Sequence, residues 1–524
     1  MNLKFVFGLA LCSLVLSCTR TVSIPTKDQV GAAVLPGEIK PVKAPFEMPV
    51  FKKPVFPDVE INIADRGAKA GEKITGIVQS AIDELSAKGG GKVVVPGGTW
   101  QSGRLILKSN VNLHFAEGAE VYFSGEVEDY QPAVFTRNEG VEMMSLGALI
   151  YAYKQDNIAV TGKGKLIGPP MDCAIREQVL KSGVIENVIS ADTPVEERIY
   201  TGLGGSPVLL PMFISPTSCT NVYIEGVTLE RTAFWNVVPV YCDGVVIRGI
   251  TVNSVGIPRG DGIDVESSRN VLIEYSTLNC GDDCFTMKAG RCEDGMRVNK
   301  PTENVVVRYC LAKKGHGGIT CGSETAGMIR NLYVHDCVFD ETGAGIRFKT
   351  RRNRGGGGEN IVYERIRMNL TGNAFVWDML GSRTYVGLLA DRLPVRELTP
   401  LTPSYKNITA KDIIVERSSQ FIKITGIPET PLTNLRLENV KAENCERLIQ
   451  LRDVDQIHLK NVQVSSDDNN INVLDGRNIL FEKVTFSNPE GNIVCLTEGE
   501  LCRNIRFEEC SPGKPENWEG TVLE

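Results

Sequence analysis

A short phrase recurs along the chain from Asn221 onward and leaves few folds open to it. Asn221-VYIEGVTL, Gly244-VVIRGITV, Asn270-VLIEYSTL, Asn304-VVVRYCLA, Asn331-LYVHDCVF, Asn360-IVYERIRM, Asn407-ITAKDIIV, Asn434-LRLENVKA, Gln456-IHLKNVQV, Asn478-ILFEKVTF and Asn504-IRFEEC start mostly 22 to 34 residues apart, the spacing of a solenoid. Counted from the leading residue, position +1 is Val, Leu or Ile, +3 is apolar, and +6 is Val, Ile or Cys except at Ser276. Apolar residues alternating with polar ones read as strand with one face turned inward. No phrase buries that face alone, so successive coils must stack. The expected fold is all-β, a right-handed parallel β-helix with like residues one strand spacing of about 4.8 Å apart. A propeller would need blades of about 40 to 45 residues, longer and more regular than these intervals.

The leading Asn reads as a turn residue that can also form a ladder between coils. Cys310, Cys337 and Cys510 stand at +6 and read as small core residues. Upstream, Thr75 to Lys88 carries Ile77, Val78, Ala81, Ile82 and Leu85 at helical spacing, closed by Gly89-Gly90-Gly91. A short helix there would cap the open end of the solenoid. The long intervals 163–209 and 378–403 are expected to wall a binding face.

A second strand aligns without gaps in four consecutive coils: Gly262-IDVES, Cys284-FTMKA, Gly318-ITCGS and Gly345-IRFKT. The alignment places Asp261 one coil from Asp283 and His316 one coil from Asp282, with Arg347 and Lys349 on one face of the fourth coil. Three crowded carboxylates cannot all ionise cheaply, so one is expected to stay protonated while another acts as a base. Glycoside hydrolysis needs that combination: an acid for the leaving oxygen and a carboxylate for water or the sugar. A lone Asp-Asp would read instead as a turn or a calcium site. His316, between Gly315 and Gly317, is expected to be exposed and free to exchange a proton, whereas His114, His335 and His458 lie in strand phrases. Arg347, Lys349, Arg351, Arg352 and Arg354 form a local cationic run suited to a substrate carboxylate, although the chain carries a net charge of −7. That net charge excludes a broad basic face for nucleic acid.

Residues 1–17 read as a secretion signal, with Lys4, an apolar run from Phe5 to Leu16, and Cys18 in a VLSC sequence that resembles a bacterial lipobox. Cys18 is the expected lipidation site, and no other apolar run is long enough to span a bilayer. Residues 18–57, with Pro25, Pro36, Pro41, Pro45, Pro49, Pro54 and Pro57, are expected to be an extended tether that holds the body off a membrane. Residues 58–524 would then form a single catalytic β-helix. The absence of acidic residues just after Cys18 suggests a periplasm-facing or outer-membrane lipoprotein of a Gram-negative bacterium. Fifteen cysteines without regular pair spacing argue against a full disulfide framework.

The motifs Arg259-Gly260-Asp261-Gly262, Gly281-Asp282-Asp283-Cys284, Gly315-His316-Gly317 and Arg347-Phe348-Lys349, with the opening phrase Lys88-GGGKVVVPGGTW, resemble the polygalacturonases of glycoside hydrolase family 28. The resemblance covers about residues 60–510. It implies hydrolysis of α-1,4-galacturonosidic bonds in pectin, with Asp282 as general acid, Asp261 and Asp283 activating water, and His316 supporting the acid. Arg347 and Lys349 would bind the galacturonate carboxylate beside the scissile bond; Arg259, where this chain departs from the family, and Lys288 are further expected substrate contacts of this chain's own. No metal or other cofactor is implied. The family inverts, whereas carboxylates stacked near 5 Å would by the general separation rule suggest retention. Arg259 and Gly260 replace the family's Asn and Thr, and Val238 stands where the family often has His, so subsite preferences should differ. The long loops point to exo action.

Other readings are a hydrolase of rhamnogalacturonan or another decorated pectin, a pectate-lyase-like enzyme that needs calcium, and a non-catalytic glycan-binding β-helix. Arg347 and Lys349 disfavour a neutral neighbouring sugar, and the full acid and base set disfavours the last.

Overall fold

The computed structural model describes residues 22–176, 184–190 and 193–515, so the expected signal and Cys18 lie outside the described residues. The chain is a right-handed parallel β-helix. The +1 residues form one continuous inward column, with Val222, Val245, Val271, Val305, Leu332, Ile361, Ile408 and Leu435 paired in register from coil to coil. Ile457, Ile479 and Ile505 continue the same arrangement. The solenoid also extends upstream of the repeated phrase, where Val93, Leu113, Val160 and Ile224 pair in turn.

The leading Asn does both jobs expected of it. Asn270, Asn304, Asn331, Asn360, Asn407, Asn434, Asn478 and Asn504 all adopt left-handed backbone, which Asn tolerates better than most residues. Their side chains form a ladder, for example Asn331 Nδ2 to Asn304 Oδ1 at 3.0 Å and Asn434 Nδ2 to Asn407 Oδ1 at 2.8 Å. A second left-handed bend falls five residues later, at Tyr275, Tyr309, Asp336, Arg365, Asp412, Asn439, Asn461, Lys483 and Glu509. Its residue types vary too widely to signal a turn, so the phrase reads as one strand but is two segments joined by a bend. Cys310 and Cys337 are fully buried and Cys510 is partly buried, as expected of core positions, and all thirteen described cysteines are free thiols.

The expected cap is α1 (Thr75–Ala87), which buries Val78, Ala81, Ile82 and Leu85 over the first coils. It satisfies the apolar end that a stacked solenoid would otherwise leave open.

The Pro-rich segment departs from expectation. It is extended, but it is a strap packed along the solenoid wall rather than a free tether. Ile39, Val42, Ala44, Phe46, Met48, Phe51 and Phe56 cover the outward column Ala159, Tyr223, Val246, Leu272, Val306 and Tyr333. That column is apolar on the outside, so leaving it in water would forfeit about 25 cal/mol per Å². Proline keeps the strap from forming a further strand, and arginines satisfy its carbonyls instead. Arg248 Nη2 donates to Pro36 O at 2.8 Å, Arg308 Nη2 to Lys40 O at 2.7 Å, and Arg367 Nε to Pro25 O at 2.9 Å. Gly31, at φ 87°, is required because a Cβ would meet Thr277 Oγ1 at 2.5 Å. Buried Glu274 bridges Arg248 at 2.8 Å and Arg308 at 2.7 Å, tying the strap's anchors to the coils.

Replacing Arg308 by Met should therefore cost about 3 kcal/mol, because Glu274 loses a buried partner and two strap carbonyls lose their donor. Urea denaturation measures the loss, and limited proteolysis should cut the strap before the body.

Candidate active site

Four parallel strands form the floor of the cleft: β1 (Ile263–Glu266), β2 (Phe285–Lys288), β3 (Ile319–Cys321) and the end of β4 (Ile329–Lys349). Ile263, Val265, Phe285, Met287, Ile319, Cys321, Ile346 and Phe348 are fully buried in the core. Alternation therefore turns the intervening residues outward. Register aligns Asp264, Thr286, Thr320 and Arg347 in one row, and Glu266 with Lys288 in the next. The turns before these strands bring in the acids. Gly262 N–H donates to Asp283 O at 2.9 Å, and His316 N–H to Asp282 O at 2.9 Å, so the expected neighbours are neighbours. Gly317 has no room for a side chain, since a Cβ would lie 2.8 Å from Asp283 Oδ1.

One carboxylate oxygen from each of Asp261, Asp282 and Asp283 lies within 4.8 Å of the other two. Arg347 Nη1 reaches Asp283 Oδ1 at 2.9 Å and Lys349 Nζ reaches Oδ2 at 2.7 Å. Asp282 Oδ1 accepts from Asp283 N–H at 2.9 Å and lies 2.9 Å from His316 Nδ1. The His316 side chain is 63% exposed, as the flanking glycines suggest.

Protonation is unequal across the trio. Burial, and then the charges of Asp264 and Asp282, push Asp261 well above the carboxylate range. Burial would also raise Asp283, but the Lys349 and Arg347 cations overcome it and hold Asp283 ionised. Asp282 follows the same balance: burial raises it, the His316 hydrogen bond lowers it, and the net direction is down. The hydrogen bond to Asp282 raises His316. The expectation of one raised carboxyl therefore holds, and the raised one is Asp261, whereas Asp282 is lowered against the His316 imidazole. Beneath them, Asp264 is pushed up to about 8, chiefly by burial. Lys288 Nζ is 3.6 Å from Asp264 but 3.2 Å from Glu324, too far from Asp264 to offset its burial.

The cavity beside the acids, about 170 Å³, is lined by Asp261, Asp282, Lys288, Lys349, Arg259 and Trp235, with Glu139, Glu186, Arg291, Ser323, Glu324, Arg351, Arg354 and Tyr385 completing it. Both long intervals reach it: α2 (Val184–Ser190) supplies Glu186, and α3 (Arg383–Val386) supplies Tyr385. Arg259 lies at the rim, 2.7 Å from Glu139. Lys288 is almost fully buried, with its Nζ 4.4 Å from the Trp235 ring centroid. The cationic run divides. Arg352 is buried against Glu429 at 2.5 Å and the carbonyls of Leu389 and Arg392, so it anchors the 378–403 loop and takes no part in the cleft. Val238 is fully buried in a cluster with Phe234 and Trp235 and is not among the residues lining the cavity. Sequence reasoning missed Glu139, Arg291 and Glu324, which come from segments outside the repeat. Trp235 follows directly on Phe234 in a phrase that does stand out.

A family profile, Glycosyl hydrolases family 28, matches residues 206–383. The chain is 28% identical to a probable polygalacturonase of Vitis vinifera over 69% of this chain and 69% of that one. It is 25% identical to an exo-poly-alpha-D-galacturonosidase of Dickeya chrysanthemi over 70% of this chain and 64% of that one. The crystal structure of an exopolygalacturonase from Thermotoga maritima superposes with a TM-score of 0.71 at 29% identity, covering 79% of this chain and 93% of that one. A parallel β-helix with this acid cluster and these likenesses is a glycoside hydrolase. It is polygalacturonase-like, with the family 28 signature lying across the coils that build the cleft.

The His316–Asp282 pair sets a titration. Because His316 is raised above 6.5 and Asp282 is lowered below 3.8 in the folded chain, the pair's stabilisation is complete between those two values, is lost as pH rises through the raised His316 value, and is lost again as pH falls through the lowered Asp282 value. An NMR titration should place the His316 imidazole above 6.5, and Asp282→Asn should move it back toward 6.5.

Proposed function

We propose that the chain hydrolyses α-1,4-galacturonosidic bonds in pectin, working from a chain end with inversion. The observation that carries this is the acid trio itself, with oxygens within 4.8 Å of one another and both Arg347 and Lys349 on Asp283. Two relatives named for exo action on galacturonan, one by sequence and one by structure, support the reading. The walls carrying Glu186 and Tyr385 line the cavity beside the acids, in keeping with loops that shape a pocket for a chain end.

In this reading Asp282 protonates the leaving glycosidic oxygen with a proton drawn from His316, 2.9 Å away. Asp261 and Asp283 share one proton, as paired acids do, and together hold the attacking water. The C1–O bond to the leaving sugar breaks, the water oxygen bonds to C1, and the water proton passes to the Asp261–Asp283 pair. Arg347 and Lys349 keep Asp283 ionised and turn their free N–H groups to the substrate carboxylate. A single water held by two carboxylates allows inversion despite their close spacing. Arg259 and Lys288 contribute positive charge to the same cavity. A rhamnogalacturonan or other decorated pectin is the second reading. It is disfavoured because a neutral neighbouring sugar offers Arg347 and Lys349 no carboxylate.

Polygalacturonic acid should yield saturated galacturonate alone from the earliest times, with the inverted anomer seen first by NMR. Asp282→Asn should reduce kcat by about 10²-fold or more, the scale of a lost general acid. EDTA should leave the rate unchanged, because Arg347 and Lys349 already neutralise Asp283. Mixed oligomers would overturn exo action, and unsaturated products lost with chelator would overturn hydrolysis.

The site of action follows from the N-terminal residues: we place the chain in the periplasm or outer membrane of a Gram-negative bacterium, anchored through lipid on Cys18. Cys18→Ser should move the protein from the membrane fraction to the soluble fraction and abolish labelling by a fatty-acid probe.

A further inference from the structure

The cavity beside the acid trio continues outward into a chamber of about 600 Å³, lined by Glu186, Arg291, Arg351, Asn353, Arg354 and Tyr385 among others. That volume is within the range of small-ligand sites, about 300–1,000 Å³. The two spaces share Arg291, Arg351, Arg354, Glu186 and Tyr385, so a chain seated at the acids can extend into the chamber.

Its cations are not equally matched. Arg291 is paired with Glu139 at 3.1 Å and Glu186 at 2.5 Å, Arg259 with Glu139 at 2.7 Å, and Lys288 with Glu324 at 3.2 Å. Arg351 pairs with no carboxylate among the described residues. Its guanidinium instead lies 4.2 Å from the Tyr385 ring centroid. Arg354 is only 3% exposed, yet its Nε has no hydrogen-bond partner among the described residues. Among the described residues its Nη groups reach only Cys292 Sγ and Glu324 Oε1, each at 3.9 Å. A buried guanidinium left this short of partners is costly, and the cost is recovered when an anion arrives. Burial lowers Arg351, and it lowers Arg354 to about 10, the direction expected of cations without close counter-charges.

We infer that Arg351 and Arg354 form a second carboxylate-binding subsite, which takes the free uronate carboxylate of the sugar beyond the one held at Asp282. This rests on the galacturonan reading above and deepens it, since it makes the enzyme selective for unesterified chain ends. Tyr385, already stacked on Arg351, offers its ring to the same sugar.

The test compares full-length wild type with Arg351→Gln and Arg351→Lys. Isothermal titration uses trigalacturonate and its methyl-esterified form, and steady-state kinetics use the acid trimer. Arg351→Gln should weaken trigalacturonate binding tenfold or more and raise KM with little change in kcat. Its affinity for the ester should match that of wild type, and Arg351→Lys should recover part of the loss. Arg351 is half-buried and carries no fold contact comparable to Arg352, and thermal melting checks that each variant is folded. Unchanged trigalacturonate binding in Arg351→Gln, or equal loss for acid and ester, would overturn the subsite. Wild type that binds neither trimer also overturns it. Wild type that binds the acid trimer through Arg351 but releases no product sinks the hydrolase reading and leaves the subsite standing.

Discussion

Parallel stacking in register is the constraint on which everything else in this molecule depends. Each coil repeats the backbone of the one before it at about 4.8 Å, so a residue's neighbours are set by its position in the phrase. The inward rows then form continuous apolar columns, from Val222 to Leu435, that no single coil could bury. The same register brings acids far apart in sequence into one cluster. Asp261, Asp282 and His316 meet because the strands after them pair without a slip. A one-residue slip would send Asp264 and Lys288 into the core and Ile263 and Met287 into the cleft.

Charge in the cleft is arranged by burial as much as by pairing. Asp283 is fully buried but gripped by two cations, so it stays ionised. Asp261 is also buried and pairs with no cation among the described residues, and it is pushed well above the carboxylate range. Asp282 lies between these cases, and its partner His316 faces solvent, where it can reload. Three identical side chains thus come to differ in protonation state through their surroundings alone. The outer arginines follow the same rule in reverse, since Arg354 is buried without a close counter-charge.

Much of this was legible before any coordinates. The +1, +3 and +6 pattern implied stacked strands, and the Asn column implied turns and a ladder, because both are local and repeated. The gap-free alignment of Gly262, Cys284, Gly318 and Gly345 placed the acids correctly for the same reason. What stayed hidden was not periodic. The bend five residues after the leading residue is taken by Tyr, Asp, Arg, Lys and Glu as well as by Gly226, Gly249, Asn439 and Asn461, so no one residue type marks it along the chain. The strap looked like a tether because prolines exclude strand pairing. They do not exclude packing, and its partners Tyr223, Leu272 and Tyr333 sit at outward positions where polar residues were expected. Val238, which stands where the family often has His, is buried with Phe234 and Trp235 and is not among the residues lining the cavity.

By itself, the sequence determined the coil, the cap, the order of the acid motifs and which of them would be neighbours, because a repeat converts spacing along the chain into proximity in space. Only the tertiary structure decided which acid holds the proton, which arginines face the cleft and which anchor a loop, and what covers the outer wall. Those outcomes depend on desolvation and on partners from segments outside the repeat, such as Glu139, Glu324 and Glu429. Neither quantity has a period, so no reading of spacing could have supplied it.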